Sequence, residues 1–550
     1  MKISSIVSFF FLAATANLQA QTLPDSVVKK IDRLHNQWDK KNSPGAVVGI
    51  VRNDSLIFAK GYGMASLEYG VQLSPQTEFQ LGSISKQFTG YCVLLLEREG
   101  KLRLDDDIRK YLPWFPDMKE KITIYQLLHH TSGVREVTLY GPGGGDEEPK
   151  EPLKKAIIRQ TTLNYKPGER YSYCSTGFNL LGEIVRAVSG KSIRRFADSA
   201  IFKPLHMDHT FYNDIRHEVI PNLASGYMPS GDNHYWLDNE TGGPVMGGSG
   251  VVTNMEDMAK WIIHFYHHPK EDDALIAEMV RKGKLNNGEK VPYGAGIALD
   301  AINGQIAYSH TGKAAGYNTY MAVLPAQRTG FIELTNIWDY NNGPFGMLIN
   351  LLAPDQTSHK AAIAVTDTLS ARLSDTVAVR KFAGDYMTDD GQQFSISLKN
   401  GFLYAGLFGQ QFLMKKAAKD TFAAVKVPFS IVLKGEGNNK AFIFRDEIAR
   451  PIIKRIPVGD AELTTYTGTY YCPENDFTYS IVLENHKLKL TNTRLDDATI
   501  TFVTPDELFN SNWWMYHMTM VRDSKKQITG FDVNVRSTYH LRYYKELSTK

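Results

Sequence analysis

Three cysteines in 550 residues, Cys92, Cys174 and Cys472, are too few for a disulfide framework, so the fold must rest on its hydrophobic cores. An excess of either charge is missing as well. The 62 Lys and Arg nearly balance the 59 Asp and Glu, leaving a formal net charge of +3. There is no long basic run and no nucleic-acid motif, so no nucleic-acid partner is expected. The apolar run at the N-terminus, Ile3 to Ala16 with Phe9-Phe10-Phe11-Leu12 at its centre, is too short for a comfortable membrane span. Lys2 precedes it and Leu18-Gln19-Ala20 ends it in a small residue. That pattern makes residues 1–20 an expected export signal cleaved after Ala20, with an uncleaved anchor as the alternative. No cysteine lies near the cleavage point to carry a lipid. The mature protein is expected to be periplasmic or secreted, with no stable membrane span after cleavage.

What is present is the composition of a soluble globular protein, 43% hydrophobic and 22% charged. The length implies more than one core. Up to about residue 351 the pattern is mixed α/β, of the α+β kind. Ala46 to Val51 and Leu56 to Ala59 read as a hairpin around Asn53-Asp54-Ser55. Helical stretches follow at 85–98, 123–129, 152–160, 176–189 and 192–200. Strands return at 307–309, 318–324 and 331–335, so the sheet is expected to close through distant segments. Residues 352–378 read as a linker. Beyond it Phe382-Ala383-Gly384-Asp385-Tyr386 recurs 84 residues later as Tyr466-Thr467-Gly468-Thr469-Tyr470. Each copy leads into alternating strands and later an acidic-turn-aromatic element, Asp420-Thr421-Phe422 and Asp506-Glu507-Leu508-Phe509. Two small β-barrels or sandwiches in tandem, 379–460 and 461–550, are expected, with one divergent β-domain as the alternative.

Three elements carry chemistry. Ser83-Ile84-Ser85-Lys86 opens an apolar helix that runs to Gly100. Residues three apart share a helix face, so a nucleophile and a base would meet at a helix N-terminus, where free N–H groups favour negative charge. The spacing is not unique, because Ser26-Val27-Val28-Lys29 repeats it in what reads as an ordinary amphipathic helix. The second element is Tyr173-Cys174-Ser175, after a turn and before a helix. In an extended segment Tyr173 and Ser175 share a face. A tyrosine serves as acid or base only where cations lower its pKa, and Lys86 is the candidate cation; the alternative is a packed aromatic. The third is Ser309-His310-Thr311-Gly312-Lys313. It reads as a strand whose edge a substrate backbone can pair with, Gly312 permitting close approach. The N–H groups of Lys313 and Ser83 would complete an oxyanion hole. The histidines at 264, 267 and 268 are too irregularly spaced for a metal site; neither metal nor cofactor is expected.

The order Ser-x-x-Lys, Tyr-x-Ser, His-x-Gly resembles the serine β-lactamase and penicillin-binding-protein superfamily. The nearest branch is the class C β-lactamase-like group, which includes D-aminopeptidases, DD-peptidases and carboxylesterases. The resemblance runs over roughly 25–345, and Gly61-Tyr62-Gly63, Leu127-Leu128-His129-His130-Thr131-Ser132-Gly133 and Gly247-Gly248-Ser249-Gly250 extend it. It implies a β-lactamase/transpeptidase-like sheet flanked by helices, with a helical subdomain, over 21–351. It also implies an acyl-enzyme on Ser83, with Lys86, Tyr173 and His310 as the other catalytic residues and Ser175, Thr311, Gly312 and Lys313 as substrate-binding and oxyanion residues. Two departures bear on specificity. Ser175 stands where the family often has asparagine, and His310 where many β-lactamases and DD-peptidases have lysine. Both favour peptidase or esterase activity over β-lactamase activity, on a small or peptide substrate of cell-wall type. The alternatives are a penicillin-recognising sensor that stays acylated and an inactive cell-wall-binding scaffold. The segment after Gly133, to Pro152, reads as a loop beside the active-site mouth or a solvated insertion.

Overall fold

A computed structural model of the chain describes residues 23–546 apart from short internal segments, the longest being 138–151 and 355–372. The expected export signal, most of the expected linker and most of the loop after Gly133 lie outside the described residues. Helix α1 (Asp25–His35) precedes a hairpin of β1 (Ala46–Arg52) and β2 (Ser55–Tyr62). Asn53 and Asp54 both take positive φ, +46° and +68°, which is the backbone a two-residue hairpin turn demands. Helices α2 (Lys86–Arg98), α3 (Ile124–Leu128), α4 (Ser175–Ser189) and α5 (Met255–Tyr266) follow. The chain then returns as β3 (Ala298–Ile302), β4 (Gln305–Ala314), β5 (Tyr317–Leu324) and β6 (Thr329–Thr335), and α6 (Gly343–Leu352) closes this part.

The strands form one antiparallel sheet in the order β3-β4-β5-β6-β1-β2. Its closure is the pairing of β1 with β6, Ala46 opposite Thr335 and Arg52 opposite Thr329. β1 is buried on both faces. Val47 and Val51 join the larger core with Met255, Ile262 and Ile332, whereas Ala46, Val48 and Ile50 face Ile31, Phe345 and Leu348 behind the sheet. Strands covered on both faces lose the apolar–polar alternation, which is why Ala46-Val47-Val48-Gly49-Ile50-Val51 is a continuous apolar run. Gly49 is required by packing: an added Cβ would lie 2.1 Å from the Met255 sulfur of α5.

α2 is buried from Lys86 to Leu96. Each leucine there contributes roughly 1.5–3 kcal/mol by leaving water, enough to outweigh the burial of one amine. The helix ends at Arg98 with Glu99 as its C-cap, and Gly100 follows in the left-handed region at φ +68°. α3 starts on a capping box in which Thr123 and Gln126 satisfy each other's backbone N–H.

The C-terminal part forms two closed eight-stranded antiparallel barrels, and the 84-residue repeat maps onto equivalent places in them. Tyr386 donates to the Phe382 carbonyl at 2.7 Å, and Tyr470 to the Tyr466 carbonyl at 2.6 Å, each on the first strand of its barrel. The carbonyls of Asp420 and Asp506 likewise accept from Leu433 and Met520, at the start of the fifth strands. Each barrel has its own core, one around Phe394, Leu403 and Phe442, the other around Tyr470, Leu490 and Phe531.

Candidate active site

Ser83 lies in a single 3₁₀ turn, Gly82–Ser85, that runs into α2. The turn is pressed onto β4 through two glycines. An added Cβ at Gly312 would lie 1.9 Å from the Leu81 carbonyl oxygen, and one at Gly82 would lie 2.5 Å from the Lys313 nitrogen. Gly312 therefore admits the chain's own nucleophile turn rather than a substrate strand. The backbone of Lys313 is brought within one residue of Ser83, as a two-donor oxyanion site requires.

Lys86 is fully buried. Its Nζ donates to Ser83 Oγ at 3.0 Å, to Ser175 Oγ at 3.2 Å and to the Gly248 carbonyl at 2.7 Å. Burial lowers its pKa to about 7, against the pull of Glu136 and Cys174. A buried amine whose donors are all aimed, one at the serine oxygen, is ready to lose a proton and take the serine's. The Tyr173 ring centroid is 4.9 Å from Lys86 Nζ. Burial pushes the Tyr173 phenol up from its usual value, and hydrogen bonds with Ser83 and Ser175 only partly offset this. The neighbouring ammonium does not make it a phenolate; the phenol stays a donor beside the nucleophile, so between the two groups Lys86 has the lowered proton affinity.

His310 sits on the inward face of β4 with both ring nitrogens engaged. Nδ1 donates to the Thr311 carbonyl at 2.6 Å, which leaves Nε2 to accept from the Tyr293 hydroxyl at 2.7 Å. Burial and the Lys86 charge bring its pKa down to about 3, so the ring is neutral. This geometry gives His310 the work of holding Tyr293 and the strand rather than carrying a proton. Ser175, the first residue of α4, has its hydroxyl on Lys86. Thr311 and Lys313 are exposed at the rim, and the Lys313 ammonium lies 3.7 Å from the centroid of the Trp338 ring. A cleft of about 780 Å³ opens on Ser83, walled by Tyr171, Tyr173, Tyr293, Asp300 and Lys313.

Glu136 and Tyr293 escape sequence reasoning, and His130 is marked there only as part of the family's turn. Glu136 is buried, and its carboxylate accepts the Ser175 N–H at 2.5 Å and the Thr176 hydroxyl at 2.9 Å, at the positive end of α4. His130 accepts the Cys174 N–H at 3.1 Å and packs 4.4 Å from Tyr173, centroid to centroid. Tyr293 opens the turn Tyr293-Gly294-Ala295-Gly296, whose Gly296 lies against the Lys86 carbonyl. That glycine pair is the one local signal that marks a close approach. His264 is a packing residue against Tyr91 and Trp261. Among the described residues no group of three His, Cys, Asp or Glu is placed to hold a metal ion. No helix among them is long and apolar enough to cross a membrane.

Comparison with known proteins finds the same fold. A family model described as Beta-lactamase matches residues 31–350. Protein flp of Staphylococcus aureus (strain N315) is 27% identical over 352 residues, covering 62% of this chain and 69% of that protein. Penicillin-binding protein 4* of Bacillus subtilis (strain 168) is 26% identical over 450 residues, 76% of this chain and 96% of its own length. The crystal structure of D-amino acid amidase from Ochrobactrum anthropi SV3 shares the fold, with a TM-score of 0.52 at 19% identity over 59% of this chain and 98% of that one.

Proposed function

Because the chain belongs to the beta-lactamase family of serine hydrolases, we propose that Ser83 is its nucleophile and that it works through an acyl-enzyme on a D-amino-acid peptide, amide or ester. One observation carries the reading: the buried Lys86 amine lies 3.0 Å from the Ser83 hydroxyl with its pKa brought to about 7. Neutral Lys86 takes the Ser83 proton as the oxygen attacks the carbonyl carbon. The backbone N–H groups of Ser83 and Lys313 receive the oxyanion. The proton passes to the leaving group through the protonated Tyr173 phenol, and water, activated by the same amine, releases the acyl group.

Peptidase or esterase activity is favoured over β-lactamase activity. The neutral His310 and the inward-turned Ser175 leave no cation or amide at the two positions where a β-lactam carboxylate and side-chain amide would be held. The likeness of fold to a D-amino acid amidase supports an acyl group of that chemistry, and a cell-wall fragment would present it. The Lys2 to Ala20 segment supports export, which would bring the enzyme to such a substrate. A second reading, acylation by penicillin without turnover, is favoured by the likeness to penicillin-binding protein 4*.

Intact-mass measurement separates the two. A transient Ser83 adduct with D-amino acid amides or activated esters, lost in Ser83→Ala, is the expected result. A lasting penicillin adduct on Ser83 would favour the second reading, and no serine adduct with penicillin or a fluorophosphonate would overturn both.

A further inference from the structure

The first barrel has a cavity of its own, lined by none of the residues around Ser83. It lies where the short helix Val377–Arg380 meets the turn between the fourth and fifth strands, Gln410–Lys416 and Thr421–Ala424, and the end of the sixth, Ser430–Lys434. Its volume is about 440 Å³. Small-molecule sites span roughly 300–1,000 Å³. Phe382 and Phe422, both buried, give it an apolar floor. Lys381, Lys416, Lys419 and Lys434 stand around it, with Asp420 as the carboxylate among the lining residues. Among the described residues Lys416, Lys419 and Lys434 form no ion pair, and neither does Asp420. Like charges gathered over an apolar floor repel one another, and an anion seated between them relieves the repulsion.

The second barrel fills the corresponding place from within. Leu433 and Met520 correspond, because each gives its N–H to the aspartate carbonyl before the fifth strand, Asp420 in one barrel and Asp506 in the other. Two residues further on stand Gly435 and Arg522. Arg522 Nε donates to the Asp506 carboxylate at 2.6 Å, and its Nη2 donates to the Tyr466 hydroxyl at 3.1 Å. In the first barrel Phe382 stands for that tyrosine. Gly435 takes φ +87°, a backbone region that disfavours any side chain. One internal guanidinium has been exchanged for open space ringed by ammonium groups.

We propose that this cavity binds a small amphiphilic anion, a carboxylate or phosphate carried on an apolar stem. Four ammonium groups against one carboxylate set the sign of the ligand. The lysines hold the head group by charge-assisted hydrogen bonds, and the two phenylalanines receive the stem. The site stands apart from the chemistry at Ser83 and does not rest on it.

Isothermal titration of the full chain with octyl phosphate, octanoate, inorganic phosphate, octyl glucoside and octylammonium tests it. Octyl phosphate and octanoate should bind at one site per chain, and the tighter of the two identifies the head group. The double variant Lys416→Gln/Lys434→Gln should weaken that binding about tenfold, and rising salt should weaken it in the wild type. Inorganic phosphate and octyl glucoside each lack one half of the ligand and should bind at least about ten times more weakly. Removing the same charge from the second barrel, in Lys487→Gln/Lys525→Gln, should leave the affinity unchanged, as should Ser83→Ala. If the double variant fails to fold, Lys434→Gln alone takes its place, with about a threefold loss. Equal affinity in the wild type and the lysine variant would overturn the proposal. So would octylammonium bound more tightly than octanoate, or inorganic phosphate bound as tightly as octyl phosphate.

Discussion

The proposed acylation of Ser83 takes its pH dependence from Lys86, whose amine lies 3.0 Å from the serine hydroxyl. At an ordinary lysine pKa of 10.5 about one Lys86 in 3,000 would be neutral at pH 7, and at about 7 one in two is, a gain of roughly a thousandfold in competent enzyme. The neutral fraction falls to about a tenth at pH 6 and about a hundredth at pH 5. The second-order rate of fluorophosphonate labelling of Ser83 should therefore drop about tenfold per unit below pH 6 and level off above pH 8. Glu136→Gln removes the largest pull that opposes burial, so the same limb should move to lower pH, with more neutral amine at pH 6 than in the wild type. Labelling read by intact mass from pH 5 to 10 gives both curves. A rate that is level between pH 5 and 7, or half-maximal only above pH 9, would refute the assignment of Lys86 as base.

Stability should carry the same signature. Between about pH 7.5 and 10 the folded protein holds Lys86 neutral while the unfolded chain binds a proton there, so unfolding takes up a proton and stability rises with pH. Relative to Lys86→Met the slope should be about 1.4 kcal/mol per pH unit in chemical denaturation, and equal slopes would contradict it. Gly312→Ala should lose about 1–3 kcal/mol and most of the acylation rate, since its Cβ meets the rigid Leu81 backbone. Gly346→Ala, on α6 with open space around it, should be neutral or stabilising by up to about 1 kcal/mol, and melting curves compare the two. Tyr386→Phe and Tyr470→Phe should each cost about 0.5–1.5 kcal/mol in the unfolding of their own barrel, and the two losses should add.

What the sequence makes legible is what short-range geometry decides. Ser83 and Lys86 meet because one helical turn separates them, and Asn53-Asp54 dictates a hairpin whatever else the chain does. The 84-residue repeat survives as a tyrosine bonded to the carbonyl four residues before it, a local motif that sequence spacing preserves. Glu136 and Tyr293 are different. Each is ordinary in its own segment and gains its role from α4 or β4, which reach it only after the sheet closes. Ser175 and Gly312 are legible as positions but not as contacts. The serine turns toward a lysine 89 residues away, and the glycine makes room for Leu81, a neighbour that no spacing rule names. Helix α5 is absent from the helices expected from the sequence, because it is defined by the glycines of β1 and β6 that receive it, Gly49 and Gly330.

The pairing of β1 with β6 also sets a timetable. The β1–β2 hairpin can form early, but the edge of β1 that accepts Thr329–Thr335 stays bare until that strand has been synthesised. A chain stalled or cut before residue 335 presents a long apolar ribbon with one row of unsatisfied amides, the kind of surface that seeds misassembly. Such late closure, between strands almost three hundred residues apart, makes folding slow.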